Sequence, residues 1–243
     1  MELSEFKKEL EYIFEKNSLS DILNDERAQK LYELTRIMIE VNKSMNLTTI
    51  TDEREIILKH YADSLTVSKY IPQNATVIDV GCGAGFPCLP LAIFRDDIKI
   101  TALDATAKRI RYVDDTAKNL GLSNVNAIAA RAEELAKDNA YRETYDVATA
   151  RAVASLPVLS ELCLPFVKKG GKFIAMKASQ GESEVNDAKN AIRICGGSLN
   201  KVDKFSLVAD IDIGTRVIAL IDKIAQTPAK YPRHYSQISK KPL

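Results

Sequence analysis

Thr76-Val-Ile-Asp-Val-Gly-Cys-Gly-Ala-Gly-Phe-Pro87 is the stretch on which the fold turns. Val77, Ile78 and Val80 are β-branched and run into a glycine turn, the pattern of a buried parallel strand. Gly81, Gly83 and Gly85 let the backbone turn sharply and pass close to a ligand, because none carries a Cβ. Phe86 to Phe94 is apolar and reads as a short helix with Pro87 in its first turn. A second apolar run, Ile98 to Leu103, ends at Asp104, where a ribose-binding carboxylate belongs in a dinucleotide-type fold. Strand, glycine turn, helix, strand and terminal acid together predict an α/β sheet with a ligand at its carboxyl edge.

The glycine spacing narrows the ligand. A nicotinamide site carries G-x-G-x-x-G, with the pyrophosphate on the helix N-terminus. Here the order is Asp79-x-Gly81-x-Gly83-x-Gly85, which resembles motif I of the S-adenosylmethionine methyltransferases. That cofactor has no pyrophosphate, so the loop need only run beside its amino-acid and ribose parts.

Composition bounds the rest. A chain of 243 residues, 46% of them hydrophobic, allows one sizeable domain, or one with a smaller appendage. No run approaches the ~18 apolar residues of a membrane span, and the charged N-terminus is unlike a signal peptide. Cys82, Cys88, Cys163 and Cys195 have no zinc-ligand spacing and only two histidines accompany them, which argues against a disulfide framework or a metal. The expectation is a cytoplasmic monomer with no membrane contact. Net charge is +1, but residues 223–243 hold five basic and no acidic side chains.

Taken in order, residues 2–16 and 26–43 read as helices, with Leu31, Leu34, Met38 and Val41 at helical spacing. Asn42 to Ile50 breaks the pattern, and Asp52 with Glu55 caps a helix over 53–70. Residues 1–70 thus form a helical N-terminal part, and 71–243 the glycine-loop domain with a basic tail. After Asp104, Thr106 is expected to cap a helix ending near Gly121. Strands follow at Val125–Ala130 and Tyr145–Arg151, then a helix over 155–167. Gly170-Gly171 is expected to turn the chain into a strand at Lys172–Lys177. A helix over 182–195 precedes two strands, near 198–207 and 215–221, with no helix between them. The fold class is therefore a Rossmann-like, doubly wound, mostly parallel sheet with a terminal antiparallel hairpin.

Five motifs occur in sequence: His60-Tyr-Ala-Asp-Ser64, Asp79 to Pro87, Arg131-Ala-Glu-Glu134, Arg151-Ala-Val-Ala154 and Lys230-Tyr-Pro-Arg233. Together they resemble the bacterial small-subunit ribosomal RNA guanine-N7 methyltransferases, the glucose-inhibited division protein B family, over nearly the whole chain. The resemblance implies S-adenosylmethionine as cofactor, S-adenosylhomocysteine as product, and small-subunit RNA or the small-subunit particle as partner. It points to a guanosine in the decoding-region hairpin. It implies cofactor contacts from Gly81, Phe86, Asp104, Ala105, Thr106, Ala132, Glu133 and Arg151. The family usually has Gly where this chain has Cys88, and commonly Ser where it has Ala105.

The residues themselves leave several roles open. Asp104 can accept from both ribose hydroxyls or cap the following helix. Glu133 is an adenine-side contact or a first-turn acid. Arg131, Lys177 and Arg216, with Arg151, are expected at strand ends, holding RNA phosphates or forming structural ion pairs. Lys230 to Tyr235 mixes cations with aromatics, suited to unstacked bases or to docking the tail.

Guanine N7 carries a lone pair and no proton, so transfer to it needs orientation rather than a base. No catalytic residue is assigned, and the absence of a His–Asp or Cys–His pattern fits. An acceptor for the guanine Watson–Crick edge is expected, with Asp63 and Glu161 as candidates. Arg151-Ala-Val is not the Asn/Asp-Pro-Pro-aromatic motif of amine methylation, and Cys88 reads as structural rather than as a nucleophile. The alternatives are a methyltransferase for another RNA, protein or small molecule, and a non-catalytic RNA-binding assembly factor.

Overall fold

Side chains alternate across a strand, and the central strands here are apolar on both sides, so both faces of the sheet must be covered. The computed structural model describes residues 1–151, 153–178, 181–210 and 214–243, and for Glu182 the backbone only. Its N-terminal part is helical: α1 (Leu3–Lys16), α2 (Asp25–Met45), α3 (Glu53–Ile56), a wider π turn (Ile57–Ala62) and α4 (Asp63–Leu65). Then come β1 (Thr76–Val80), α5 (Cys88–Phe94), β2 (Lys99–Asp104), α6 (Ala107–Asn119), β3 (Val125–Ala129) and α7 (Ala132–Leu135). The chain continues through β4 (Tyr145–Arg151), α8 (Leu156–Cys163), β5 (Val167–Ala178) and α9 (Gly181–Ile194). It ends with β6 (Gly197–Ser206), β7 (Thr215–Lys223) and α10 (Tyr235–Lys240).

The strands form one sheet in the order β3-β2-β1-β4-β5-β7-β6. β1 to β5 pair in parallel, and β7 runs antiparallel to both β5 and β6. The doubly wound sheet with a terminal hairpin is therefore as expected. Because β2 and β3 lie on one side of β1 while β4 lies on the other, the winding reverses between β1 and β4. Ligands of open α/β sheets bind outside the carboxyl ends of the strands at such a reversal. Here Gly81 leaves β1 and Arg151 ends β4 at that point.

Val77, Ile100, Val147, Ile174 and Ile218 face one way and share a hydrophobic cluster with α1, α2, the π turn, α5 and α6. Ile78, Leu103, Ala148, Phe173 and Ile221 face the other way, against α8, α9 and Ile238 of α10. The N-terminal helices are thus part of one sheet face's core. The buried Tyr61 hydroxyl lies 2.6 Å from Thr35 Oγ1, linking the π turn to α2.

Four local expectations need correction. The helix over 53–70 is not regular: it widens into the π turn and ends in a 3-10 turn at Ser68–Tyr70, although Asp52 does cap it, accepting from Glu55 N–H at 2.9 Å. Thr106 stands at the N-cap of α6 without a side-chain cap bond; its carbonyl accepts from Arg109 N–H at 2.9 Å, and its own N–H donates to Asp104 Oδ1 at 2.8 Å. Gly170-Gly171 lies inside β5 rather than before it. The pairing with β4 shifts register between Tyr145 and Val147, Gly170 has φ +88°, and a Cβ on Gly171 would sit 2.4 Å from the Asp146 carbonyl oxygen. Glycine is needed there to pass an irregularity between strands. The C-terminal tail, finally, holds a short helix, α10, that no apolar periodicity announced.

The tail is docked. Arg233 donates to Glu161 through Nη2 at 2.6 Å and Nε at 2.9 Å, and its backbone N–H adds a bond at 2.8 Å. Glu161 is 0% exposed, so this carboxylate is an internal anchor and not an acceptor for a base. Arg142 donates to the carbonyls of Ala136, Thr227 and Tyr231. No helix among the described residues is long and apolar enough to cross a membrane.

Candidate functional site

The loop after β1 is built for closeness. Gly81, Gly83 and Gly85 all have positive φ, at +75°, +57° and +88°. A Cβ on Gly81 would lie 2.6 Å from Val153 Cγ2, so the segment after β4 packs directly on the loop. Beneath it, buried Asp79 accepts from Thr149 Oγ1 at 3.0 Å and from Cys88 N–H at 3.2 Å, joining β1, β4 and α5. Burial pushes the Asp79 carboxyl up to about 6, against those hydrogen bonds.

Asp104 closes the loop from the neighbouring strand. Its Oδ2 accepts from Gly83 N–H at 3.1 Å and its Oδ1 from Thr106 N–H, while Arg109 Nη1 stands 4.0 Å away. An open cleft of about 340 Å3 lies over these residues, lined among others by Gly81, Gly83, Phe86, Asp104, Arg109 and Val153.

At the other end of the cleft stands a wall. The His60 ring stacks on Phe86 with centroids 4.3 Å apart, and the Arg151 guanidinium lies 5.3 Å from the same ring. Arg151 Nη2 is 3.2 Å from His60 Nδ1, and Thr48 Oγ1 is 3.1 Å from Nε2. Arginine can only donate, so Nδ1 accepts and the imidazole proton sits on Nε2, donated to Thr48. Burial, reinforced by Arg151, pushes the His60 ring down to about 3. His60 is a neutral structural ring in the wall.

Beyond it lies a second cavity, of about 480 Å3, which shares His60 and Arg151 with the cleft. Asp63 sits there between two cations: Oδ2 accepts from Arg151 Nη1 at 3.0 Å and Oδ1 from Arg216 Nε at 3.1 Å. Arg151 Nη1 also donates to the Lys59 carbonyl. Lys177 lines the cavity too, donating to the Ala154 carbonyl at 2.7 Å and pairing with Glu184 at 2.8 Å. Ile50, Met176, Phe205 and Ile218 give it apolar sides.

The candidates from the sequence therefore divide. Gly81, Phe86, Asp104 and Arg151 line one cleft, and Lys177 and Arg216 join Arg151 around the adjoining cavity. Ala105 and Thr106 are exposed just past Asp104, while Ala132 and Glu133 begin α7; none of these four lines either space. Arg131 is outside both as well, half exposed, with Nε on Glu133 at 2.6 Å and its guanidinium 5.4 Å from the Tyr235 ring. Sequence reading did not single out Thr48, Val153 or Phe205. Thr48 and Phe205 come from segments that carry no motif, and Val153 lay within a quoted motif without a role. Cys88 is structural as expected: burial and the neighbouring Cys82 thiol push it well above the ordinary thiol range.

Known proteins share this chain's sequence and fold. Residues 27–210 match the family model described as GidB, rRNA small subunit methyltransferase G. The chain is 47% identical over 223 residues to the Ribosomal RNA small subunit methyltransferase G of Staphylococcus aureus strain Newman, covering 91% of this chain and 92% of that one. Among solved structures, M. jannaschii TYW2 in complex with AdoMet superposes with TM-score 0.53 at 18% identity, over 67% of this chain and 75% of its own. A SAM-dependent O-methyltransferase from Thermotoga maritima gives TM-score 0.55 at 14% identity, over 78% and 72%. These two likenesses speak to the fold, whereas the family match and the Staphylococcus relative speak to descent. The chain belongs to the rRNA small subunit methyltransferase G family.

Proposed function

We propose that the chain is a cytoplasmic, monomeric enzyme that transfers a methyl group from S-adenosylmethionine to N7 of a guanosine in small-subunit ribosomal RNA, within the decoding-region hairpin. Family membership supports the RNA methylation. The observation that carries the chemistry is the pairing of a glycine-walled cleft with a second cavity across one shared wall.

The cleft fits the cofactor. Where a Gly83 Cβ would sit, only the Gly81 carbonyl oxygen comes within 4.0 Å, so any side chain there would occupy the cleft. Asp104 has accepted two backbone N–H groups, and a carboxylate offers about four lone-pair positions, leaving capacity for two ribose hydroxyls. Gly81, Phe86, Asp104 and Arg151 would hold the cofactor from inside the cleft, and Ala105, Thr106, Ala132 and Glu133 from the ends of β2 and β3. When bound, the cofactor supplies an electrophilic sulfonium methyl and leaves as S-adenosylhomocysteine.

The protein's share is orientation. N7 has an in-plane lone pair and no proton, so no base is asked of the site. The residues at the wall match that demand: His60 is neutral and spent on Thr48 and Arg151, and Asp63 is engaged by two arginines. A cysteine nucleophile, as pyrimidine-carbon methylation would require, is unsupported, since all four cysteines are buried. Lys177 and Arg216 in the cavity, and Arg131 outside it, are assigned to the RNA.

Radiolabelled S-adenosylmethionine, offered with naked small-subunit RNA, with small subunits and with cell extract, tests the reading. Label is expected in a 7-methylguanosine of the small-subunit RNA. Label in protein or in a small molecule, or RNA binding without label in any arm, overturns it.

A further inference from the structure

We infer that the 480 Å3 cavity beyond the His60–Arg151 wall receives the target base itself, an unstacked guanine, and that Asp63 reads its Watson–Crick edge; this rests on the guanosine-methylating reading above. Four observations lead there. Among the described residues the cavity and the cleft share His60 and Arg151, so an occupant lies next to the cleft's contents without sharing their space. Its volume is that of a small-molecule pocket, and its sides alternate apolar groups with a few convergent polar ones. Phe205 on β6 and Ile50, both half-buried, flank it, with Met176 and Ile218 at the back. Aromatic and apolar sides of this kind grip the faces of a base taken out of its stack.

Two carboxylates among the described residues line it: Glu184 is taken up by Lys177 and the Leu156 N–H, whereas Asp63 stands at the shared wall beside Arg151, and that selects the base. Asp63 gives one lone pair of each oxygen to Arg151 and Arg216 and keeps one on each. Two parallel acceptors match two adjacent donors. Guanine offers such a pair, N1–H and the exocyclic amine, whereas adenine and cytosine pair one donor with one acceptor on that edge. The Hoogsteen edge with N7 is a different edge and stays free. Methylation at N7 leaves the ring positively charged, and a carboxylate on the opposite edge favours that change. Arg151 and Arg216 hold Asp63 in place, which makes them positioning residues for base recognition.

Substituting inosine for the methylated guanosine, once that nucleotide is mapped, removes the amine alone. The test compares methyl transfer into small-subunit RNA ligated with either nucleotide, by the wild type and by Asp63→Asn. The wild type is expected to prefer guanosine by about tenfold or more, the range of one good bidentate contact. Asp63→Asn presents one donor where an acceptor stood, and should lose at least tenfold in kcat/KM and most of that preference. Calorimetric cofactor affinity should stay within about twofold. Wild-type transfer by Asp63→Asn, or a slower enzyme with its guanosine preference intact, overturns the inference. Should Asp63→Asn fail to fold, Phe205→Ala and Ile50→Ala serve instead: both are expected to lose about tenfold in kcat/KM with cofactor binding intact, and unchanged kcat/KM in both overturns it. A wild type that labels no small-subunit RNA at all refutes the underlying function instead.

Discussion

Asp104 and Asp63 lie on opposite sides of one wall and are satisfied in opposite ways. Asp104 takes two backbone N–H groups, one from Thr106 two residues on and one from Gly83 in the loop that leaves the adjoining strand. Asp63 takes two guanidinium groups, from residues 88 and 153 positions away. Backbone donors are fixed by the turn itself, so the Gly81–Asp104 side of the cleft is set as soon as β1 and β2 pair, before Thr48, His60, Arg151 and Val153 complete its walls. Guanidinium donors arrive on side chains from β4 and β7, so the cavity around Asp63 exists only when the whole sheet and the π turn are assembled. One half of the site is a local motif and the other a product of tertiary packing.

The sharpest way to break that comparison is Arg151, the residue common to both spaces. Arg151→Ala removes donors to Asp63, to His60 and to the Lys59 carbonyl at once. Orphaning one member of a buried pair costs about 3–5 kcal/mol; about 3 is expected here, because Arg216 remains on Asp63. Urea unfolding measures it, and a loss under 1 kcal/mol would mean that the wall holds without its cation. Methyl transfer should fall even where the folded fraction is restored.

Next in size is Asp104→Ala. Losing charge-assisted hydrogen bonds costs about 1.5–3 kcal/mol, or roughly ten- to hundredfold in cofactor affinity. Titration calorimetry on the folded variant gives the number, and an unchanged Kd removes Asp104 from the site. Asp63→Ala, by contrast, should leave that affinity within about twofold. If both substitutions weaken cofactor binding equally, the two halves are not separate.

The same contrast explains what could be read beforehand. The run from Val77 to Asp104 was legible because each step is local: β-branched strand, glycines at positive φ, apolar helix, terminal acid. The hairpin of β6 and β7 was legible because no helical period separates the two strands. The π turn was not, since Ile57 to Ala62 keeps an ordinary helical pattern while its wider turn is imposed by the core that receives Tyr61 and His60. Thr106 does stand at the N-cap, but residue type alone does not fix its side chain, and the hydroxyl makes no bond to the first turn. The Glu161–Arg233 anchor spans 72 positions and leaves no local trace. Cations were visible one by one, but which carboxylate each would meet was not.

His60 tests whether the wall behaves as a buried apolar partition. Its pKa is lowered from the ordinary 6.5 to about 3. Between those values the unfolded chain binds a proton that the folded protein refuses, so stability falls as the pH drops below about 6.5 and is level above it. At pH 5.5 the loss from this group is about 1.4 kcal/mol. Asp79 works the other way, because its carboxyl, raised from 3.8 to about 6, favours the folded state as pH falls through that range. His60→Gln cancels only the first effect. The stability gap between wild type and variant should therefore narrow from pH 7.5 to pH 5, and a gap constant with pH would show that His60 titrates normally.

The smallest effect is expected at Arg131, and it bears on where the RNA backbone runs. Lys177 and Arg216 face the cavity and are bound to Glu184, the Ala154 carbonyl and Asp63, so removing either should change rate more than salt dependence. Arg131 lies outside, half exposed, with Nε on Glu133 and its guanidinium over the face of Tyr235. Glu133 is buried, so Arg131→Ala leaves that carboxylate short of a partner and should cost about 1 kcal/mol in urea unfolding. The arginine side chain itself is half exposed, so a phosphate of single-stranded RNA can be met there. Each such contact adds about 0.7 to the slope of log affinity against log salt. Arg131→Ala should lower that slope by about 0.7 and weaken RNA binding by less than about tenfold at moderate salt. Filter binding across a salt series separates the two roles: an unchanged slope leaves Arg131 as a partner of Glu133 alone, and confines the RNA to the cavity side of the wall.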